Sequence, residues 1–208
     1  MAYLAKICGL TSQTDIDYCL AAGADWLGFI FHPASPRNVA PEQVAAFDTG
    51  TARRVGVFVE QNVAGIESIM KTARLDMAQL HGDQAAGAGL KLGPERTIRV
   101  IWPQRYSSAE ELAEAANCFS LEAGHLMLEA GKEGGGHGRS LDVNVLSSLN
   151  IKRPWLLAGG LTATKAKTVA GLNLPNLAGF DFNSGVEIAP GQKDYMLVAG
   201  AVLAAKNS

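Results

Sequence analysis

The sequence is poor in charge, and it has no excess of basic residues. Charged side chains make up 18% of the 208 residues, and 18 Lys and Arg against 20 Asp and Glu give a net charge of −2. This balance provides no electrostatic footprint for nucleic acid and no basic face for a membrane surface. We therefore expect neither a nucleic-acid partner nor a membrane partner.

Long apolar runs and cysteine pairs are lacking as well. No run reaches the roughly 18 residues of a membrane span, and the N-terminal MAYLAKICGL lacks the charged-then-apolar order of a secretion signal. Cys8, Cys19 and Cys118 show no CxxC spacing, which argues against a disulfide framework or a zinc knuckle. These features predict a cytoplasmic protein without a metal site.

The chain does contain a regular series of short aliphatic and β-branched runs, which predict strands. There are eight of them: YLAKICG from Tyr3, WLGFIF from Trp26, RRVGVFV from Arg53, MAQLHG from Met77, TIRVIWP from Thr97, HLMLEA from His125, PWLLAGG from Pro154 and LAGFDFNSG from Leu177.

Helical spacing appears in segments between these runs. TDIDYCLAAGA, SAEELAEAANCF and DYMLVAGAVLAAK repeat apolar residues with a helical period. Thr14 or Asp15 is the expected N-cap of the first of these helices. DQAAGAGLKLG contains three glycines and predicts only a short helix.

Alternating strands and helices predict right-handed crossovers and a parallel sheet. Eight units in 208 residues leave 26 residues for each (208/8). Closing the sheet removes its exposed edges, so we predict an α/β fold in which residues 1–208 form a single compact (β/α)8 barrel domain. An open doubly wound sheet is the alternative, and the absence of G-x-G-x-x-G after the first strand disfavours it.

Polar residues of inward parity lie near the ends of four predicted strands, where a barrel of this kind carries its reactive groups. The sets are Lys6 with Cys8, Gln79 with His81, His125 with Glu129, and Asp181 with Asn183. Taken singly, Cys8 reads as a small buried hydrophobe and His81 as a hydrogen-bonded structural histidine. Together the four sets predict one pocket.

Two glycine-containing loops follow the last two strands. LLAGGL places Gly159 and Gly160 after strand seven, and FNSGVE places Ser184 and Gly185 after strand eight. A tight turn would explain either pair alone, but these two loops are the usual phosphate site of the fold. We therefore predict a phosphorylated small-molecule ligand. Arg37, in HPASPRNVAPEQ after strand two, is either a clamp for a carboxylate or a solvated surface charge.

Several motifs occur in one order over nearly the whole chain: KICGLT, SPRNV, VGVFV, QLHGD, the glycine loop before LD, GGL and NSGVE…GQKD. In this ordered set the chain resembles the phosphoribosylanthranilate isomerases. The resemblance implies a barrel that carries out an Amadori rearrangement of an N-phosphoribosyl aminobenzoate in tryptophan biosynthesis, with no metal or organic cofactor. The expected assembly is a monomer or a homodimer.

The resemblance also implies residue roles. Cys8 matches the family's general base, and Arg37 matches the arginine that holds the substrate carboxylate. The backbone of the two glycine loops is expected to hold the phosphate at Gly159, Gly160, Ser184 and Gly185. His81 and Asp181 are expected to contact the substrate, and Lys6 is expected either to assist Cys8 or to pair with Asp181.

Glu129 departs from the family pattern, which has an aspartate as general acid at this position. Its side chain is one methylene longer, and a misplacement of ~1 Å can cost ~100-fold in rate. We expect Glu129 to be the general acid, with a pKa raised toward neutrality by apolar neighbours and with the glycine loop GKEGGGHG acting as a lid. Two smaller departures are Asn183 in place of a serine and Val143 in place of an aromatic residue.

Two other functions stay open. One is a diverged, slow or non-catalytic phosphate-binding barrel of the same family, and Glu129 is its only support. The other is a related sugar-phosphate isomerase of histidine biosynthesis, whose family uses aspartates on strands one and five. Here the first position is Cys8 and the fifth strand, TIRVIWP, has no carboxylate, so the residues disfavour it.

Overall fold

The computed structural model describes residues 2–82, 87–129 and 143–207. Eight parallel strands pair in chain order and close into a barrel, so the predicted (β/α)8 fold is confirmed and the open sheet is wrong. The barrel strands are β1 Leu4–Ile7, β2 Trp26–Ile30, β3 Arg53–Phe58, β4 Met77–Leu80, β5 Thr97–Ile101, β6 His125–Glu129, β7 Trp155–Ala158 and β8 Leu177–Phe182.

Helices follow the strands around the outside of the barrel. They are α1 Gln13–Ala22, α2 Pro41–Ala46, α3 Val63–Thr72, α4 Ala88–Leu92, α5 Ala109–Cys118, α6 Val143–Ser148, α7 Ala163–Ala170 and α8 Tyr195–Lys206. Short 3₁₀ turns cover Pro94–Arg96, Pro103–Arg105, Phe119–Leu121 and Ser184–Val186. A small hairpin, β9 Glu187–Ala189 and β10 Gln192–Lys193, connects β8 to α8. None of the helices within the described ranges is long and apolar enough to span a bilayer.

The helix ends follow from local side-chain chemistry. The prediction of Thr14 or Asp15 as the cap of α1 is wrong, because the extended Ser12 reaches forward and its hydroxyl accepts from the amide of Asp15. Ser108 and Asp194 cap α5 and α8 in the same way. The predicted short helix in the glycine-rich segment is confirmed, since α4 has only five residues.

The barrel interior contains an apolar layer, and polar residues lie at the C-terminal ends of the strands. Its apolar layer consists of Trp26, Val55, Met77, Ile98, Val100, Met127, Leu156 and Ala158. A second apolar cluster packs the strands against the helices. Polar side chains therefore gather at the C-terminal ends of the strands, above a packed floor.

An ion pair joins the end of α8 to the opposite, N-terminal end of the barrel. Lys206 Nζ donates to both carboxylate oxygens of Asp25, at 2.6 and 2.5 Å. Asp25 also accepts from the amide of Ala5 at 2.8 Å, so it ties the helix to β1.

Candidate active site

A cavity of about 280 Å³ opens at the C-terminal ends of the strands. Its lining residues come from the loops or strand ends of β1, β2, β3, β4, β6, β7 and β8: Cys8, Ile30, His32, Ser35, Val57, Val59, Gln79, His81, Glu129, Gly159, Gly160, Asp181, Asn183 and Ser184. The prediction that inward polar residues of separate strands meet in one pocket is confirmed for Cys8, Gln79, His81, Glu129, Asp181 and Asn183. It is wrong for His125, which begins β6 at the opposite end of the barrel and packs against Trp26. Of the predicted site residues, Arg37 and Gly185 are not among the lining residues.

Lys6 and Asp181 form a buried ion pair at the base of the cavity. The register of β1 and β8 sets Lys6 opposite Asp181, and Lys6 Nζ donates to Asp181 Oδ1 at 2.8 Å. Burial alone would lower the pKa of Lys6, but Asp181 and Cys8 together raise it, so Lys6 remains a cation. The expected pairing of Lys6 with Asp181 is therefore confirmed, and the expected assistance of Lys6 to Cys8, next to which it lies, stays a prediction.

Gly28 makes the close approach of Lys6 and Cys8 possible. A Cβ atom at this position of β2 would lie 2.8 Å from Cys8 Sγ and 2.9 Å from Lys6 Nζ. Neither contact is tolerable, so any larger residue would displace the thiol or the ammonium group. Sequence reasoning did not single out Gly28, because its role depends on the pairing of β1 with β2.

The thiol of Cys8 is protonated at rest. Burial raises its pKa above the ordinary 9.0, and Lys6 opposes this shift without cancelling it, while the Asp181 charge adds to it. A thiol acts as a base near neutral pH only where its pKa is lowered, and the arrangement of these residues does not lower it.

Glu129, unlike an ordinary glutamate, holds its proton near neutral pH. Burial raises its pKa to about 7, and repulsion from Asp181 adds to the shift while Lys6 opposes it. The predicted direction is confirmed. Burial among apolar neighbours is the expected cause, and the Asp181 charge is a second cause that the structure adds.

This shift predicts a pH-dependent stability effect of Glu129→Gln. The folded protein keeps the Glu129 proton between its ordinary pKa of 4.5 and its folded pKa of about 7, whereas the unfolded chain has lost it, so the free energy of unfolding falls as the pH rises through this window. A separation of about 2.5 units (7 − 4.5) corresponds to at most ~3 kcal/mol above pH 7. Glu129→Gln should therefore be more stable than the parent at pH 8 by up to that amount, and nearly equal at pH 4.5.

Urea unfolding at pH 4.5, 6 and 8 measures this difference. Glu114→Gln, at an exposed position of α5, is the matched control and should follow the parent at every pH. A constant difference between Glu129→Gln and the parent across the three pH values would contradict the assignment.

His81 is a neutral hydrogen-bonding group rather than a cation. Burial, with Lys6 and Arg99 nearby, lowers its pKa to about 4. Its Nε2 lies 2.8 Å from Nε2 of Gln79, a side chain that is itself almost fully buried. Among the described residues, Gln79 Oε1 is a buried polar atom without a hydrogen-bond partner. Parity placed Gln79 in the pocket, but the predicted site residues omitted it.

The two glycine loops differ in how much of their backbone is exposed to a ligand. Gly160 has a φ of +59°, and a Cβ there would meet nothing within 4 Å, so its backbone borders open space. At Gly185 a Cβ would lie 1.9 Å from the carbonyl oxygen of Leu161. Gly185 therefore lets the β8 loop pack against the β7 loop, and Gly160 and Ser184 supply the exposed backbone.

Arg37 is held by a carboxylate of the protein itself. Its Nε donates to Glu187 Oε1 at 2.9 Å and its Nη2 to Glu187 Oε2 at 2.5 Å. Its stem crosses Gly9, the residue after Cys8, where a Cβ would lie 2.5 Å from Arg37 Cδ. The solvated surface charge considered for Arg37 is thus wrong. Sequence reasoning missed Glu187, although it lies inside the quoted NSGVE motif.

Two sequence-based expectations concern residues whose placement is not described. The predicted lid GKEGGGHG, residues 131–138, lies outside the described residues. The side chain of Val143, at the start of α6, does so as well.

Comparisons with known proteins agree with the fold and with the motif order. The family model PRAI, N-(5'-phosphoribosyl)anthranilate (PRA) isomerase, matches residues 5–203. An N-(5'-phosphoribosyl)anthranilate isomerase of Desulfovibrio desulfuricans is 47% identical over 97% of this chain and 95% of its own. The crystal structure of phosphoribosylanthranilate isomerase from Thermotoga maritima covers 99% of this chain and 100% of its own, with a TM-score of 0.83 and 26% identity.

A further solved structure contains a ligand. It is a phosphoribosylanthranilate isomerase in complex with reduced 1-(o-carboxyphenylamino)-1-deoxyribulose 5-phosphate. It is 25% identical to this chain, has a TM-score of 0.78 and covers 99% of this chain and 100% of its own.

Proposed function

Since the chain belongs to the N-(5'-phosphoribosyl)anthranilate isomerase family, we propose that it converts N-(5'-phosphoribosyl)anthranilate into the carboxyphenylamino-deoxyribulose phosphate in tryptophan biosynthesis, with Glu129 as acid and Cys8 as base. The observation that carries this proposal is one cavity that contains both groups, with the acid's pKa at about 7. The reaction is an aldose–ketose isomerisation, and it needs one group that gives a proton and one that takes a proton.

Glu129 performs the first step. It donates its proton to the ring oxygen of the ribose, the bond between that oxygen and C1' breaks, and the nitrogen lone pair forms an iminium at C1'. A carboxylic acid of pKa about 7 is suited to this step, because much of it is protonated at neutral pH and it still gives up its proton readily.

Cys8 performs the second step. Its thiolate removes the proton from C2', and the electrons of that bond form the C1'–C2' double bond while the iminium is neutralised. The resulting enolamine then becomes the ketone by tautomerisation. The positive iminium next to Cys8 lowers the pKa of the thiol, which the free site does not do, because an opposite charge at short range favours the thiolate. Lys6 stabilises it from the other side.

The protonation state that catalysis needs is the less populated one in the free enzyme. One proton is shared by Glu129 and Cys8, and catalysis needs the carboxylic acid with the thiolate. Since the pKa of Cys8 is raised above its ordinary 9.0 while that of Glu129 is about 7, the proton resides mainly on Cys8 before substrate binds. The substrate's own charge shifts this balance.

The proposed orientation of the substrate predicts a crystal complex. Phosphate should bind at the exposed backbone of Gly160, which follows β7, and of Ser184, which follows β8. The benzoate carboxylate should bind on the side of Arg37, which follows β2. A complex with a reduced product analogue measures this directly. Phosphate density at Arg37 would reverse the orientation and contradict the prediction.

A turnover assay with N-(5'-phosphoribosyl)anthranilate, followed by anthranilate fluorescence, tests the function as a whole. Steady conversion by the purified chain is the expected result. Binding of the product analogue without conversion would instead favour the diverged, non-catalytic barrel, for which the glutamate at position 129 is the specific support.

A further inference from the structure

We propose that Glu187 and Lys193 are positioning residues for Arg37, and that they present one edge of its guanidinium to the ring carboxylate of the substrate. The proposal rests on the proposed function, because it needs Arg37 as the carboxylate ligand. Both residues lie in the hairpin β9–β10, which follows the loop assigned to the phosphate.

Glu187 is the centre of a buried cluster. Its side chain is 4% exposed, and it accepts from Arg37 through both oxygens. Its Oε1 also accepts from Lys193 Nζ at 2.8 Å and from the amide of Gly191 at 3.2 Å. A side chain with this many partners has one orientation, and it therefore restricts Arg37 to one orientation as well.

The net charge of the cluster matches an anionic ligand. Burial alone would raise the pKa of Glu187, but Arg37 and Lys193 outweigh it and lower the pKa, so Glu187 is ionised. Two cations then surround one carboxylate, and the cluster carries a charge of +1. An Arg37–Glu187 pair alone would be neutral, and Lys193 restores the positive charge that a substrate carboxylate requires.

The geometry also determines which edge of Arg37 is available. A guanidinium has five N–H donors. Glu187 uses the edge formed by Nε and Nη2. The edge formed by Nη1 and Nη2 can still receive a carboxylate through two parallel hydrogen bonds. Because the Arg37 stem crosses Gly9, this edge is anchored at a fixed place relative to Cys8.

Lys193 connects the two ends of the substrate site. Its side chain is fully buried, and Nζ donates to Asn183 Oδ1 at 3.1 Å and to Asn183 O at 3.3 Å, besides Glu187. Asn183 lines the cavity directly before Ser184. One buried cation therefore holds both the carboxylate ligand and the start of the phosphate loop.

Charge and positioning make opposite predictions for Glu187→Gln. Removing the carboxylate leaves two cations, so attraction alone would tighten the binding of a carboxylated ligand. If Glu187 instead acts by positioning, binding weakens, because a charge-assisted bidentate contact to Arg37 is replaced by a single amide and the guanidinium can rotate. We expect weaker binding, by ~10–100-fold.

Calorimetric binding of two product analogues tests this without relying on turnover. One analogue is reduced carboxyphenylamino-deoxyribulose phosphate, and the other is the same compound without the ring carboxylate. Glu187→Gln should weaken the first by ~10–100-fold and leave the second within about twofold. In the Arg37→Ala background, Glu187→Gln should have little further effect, because its action passes through Arg37.

Two further variants complete the test. Lys193→Gln lowers the cluster charge from +1 to 0 and should weaken the carboxylated analogue by ~5-fold, which applies even if Glu187→Gln does not fold. Lys206→Gln breaks the ion pair with Asp25 at the other end of the barrel. It should reduce thermal stability and leave both affinities unchanged.

The outcomes distinguish the positioning role of Glu187 and Lys193 from the role of Arg37 as carboxylate ligand. Tighter binding of the carboxylated analogue, equal loss for both analogues, or additive effects of Arg37→Ala and Glu187→Gln would overturn the positioning role. If Arg37→Ala itself fails to distinguish the analogues, the assignment of Arg37 as carboxylate ligand is wrong, and the positioning role fails with it.

Discussion

Glu129→Gln is expected to lower turnover by ~10²–10⁴-fold, the range that general acid catalysis supplies. The glutamine side chain has nearly the shape of the acid and fits the same buried position, but its amide cannot deliver a proton to the ribose ring oxygen. Binding of the reduced product analogue should change little, because the proton is needed only in the transition state. Steady-state kinetics and calorimetry measure the two quantities separately.

Two companion variants decide what the extra methylene does. Glu129→Asp should keep or improve turnover, because it restores the family's acid, and Glu129→Ala should keep analogue binding while losing turnover. If Glu129→Gln turns over like the parent, the acid lies elsewhere and Asp181 is the next candidate. If the parent is inactive and Glu129→Asp gains turnover, the chain is a homologue that lost the reaction through one methylene.

Cys8→Ala should reduce turnover by ~10²–10⁴-fold with little change in substrate affinity, since the proton on C2' loses its acceptor. The pH profile provides a second readout. Below about pH 7 both Glu129 and Cys8 are protonated and no base is present, so kcat/KM of the parent should rise toward a plateau near that value. It should fall again only above the raised pKa of Cys8, where neither Cys8 nor Glu129 holds a proton.

Cys19→Ala is the matched control for the loss of a buried thiol. Cys19 is fully buried in α1 and lies outside the cavity, so its removal should leave turnover at the parent level. Near-normal turnover of a correctly folded Cys8→Ala variant would show that Cys8 is not the base.

The barrel and the inward polar groups of its cavity follow from the sequence alone, whereas Arg37 and Gly185, which were also predicted for the site, do not line the cavity. Eight strand patterns with helical segments between them are short-range signals, and each strand alternates its side chains with a period of two. Parity therefore placed Cys8, Gln79, Glu129 and Asp181 on inward faces, and the rule that parallel strands end at one rim brought them together. None of these steps required knowledge of distant contacts.

The charges and the contacts of these groups depend on tertiary pairing between distant parts of the chain. Lys6 and Asp181 are 175 residues apart in sequence, and the register of β1 with β8 makes them an ion pair. Arg37 and Glu187 are 150 residues apart. Whether a buried thiol keeps its proton depends on the cost of desolvation against the attraction of nearby charges. The energy of that attraction depends strongly on the distance between the charges and the sulfur atom. Parity tells which way a side chain points, but only the closed barrel brings charges from distant strands within a few ångströms of each other.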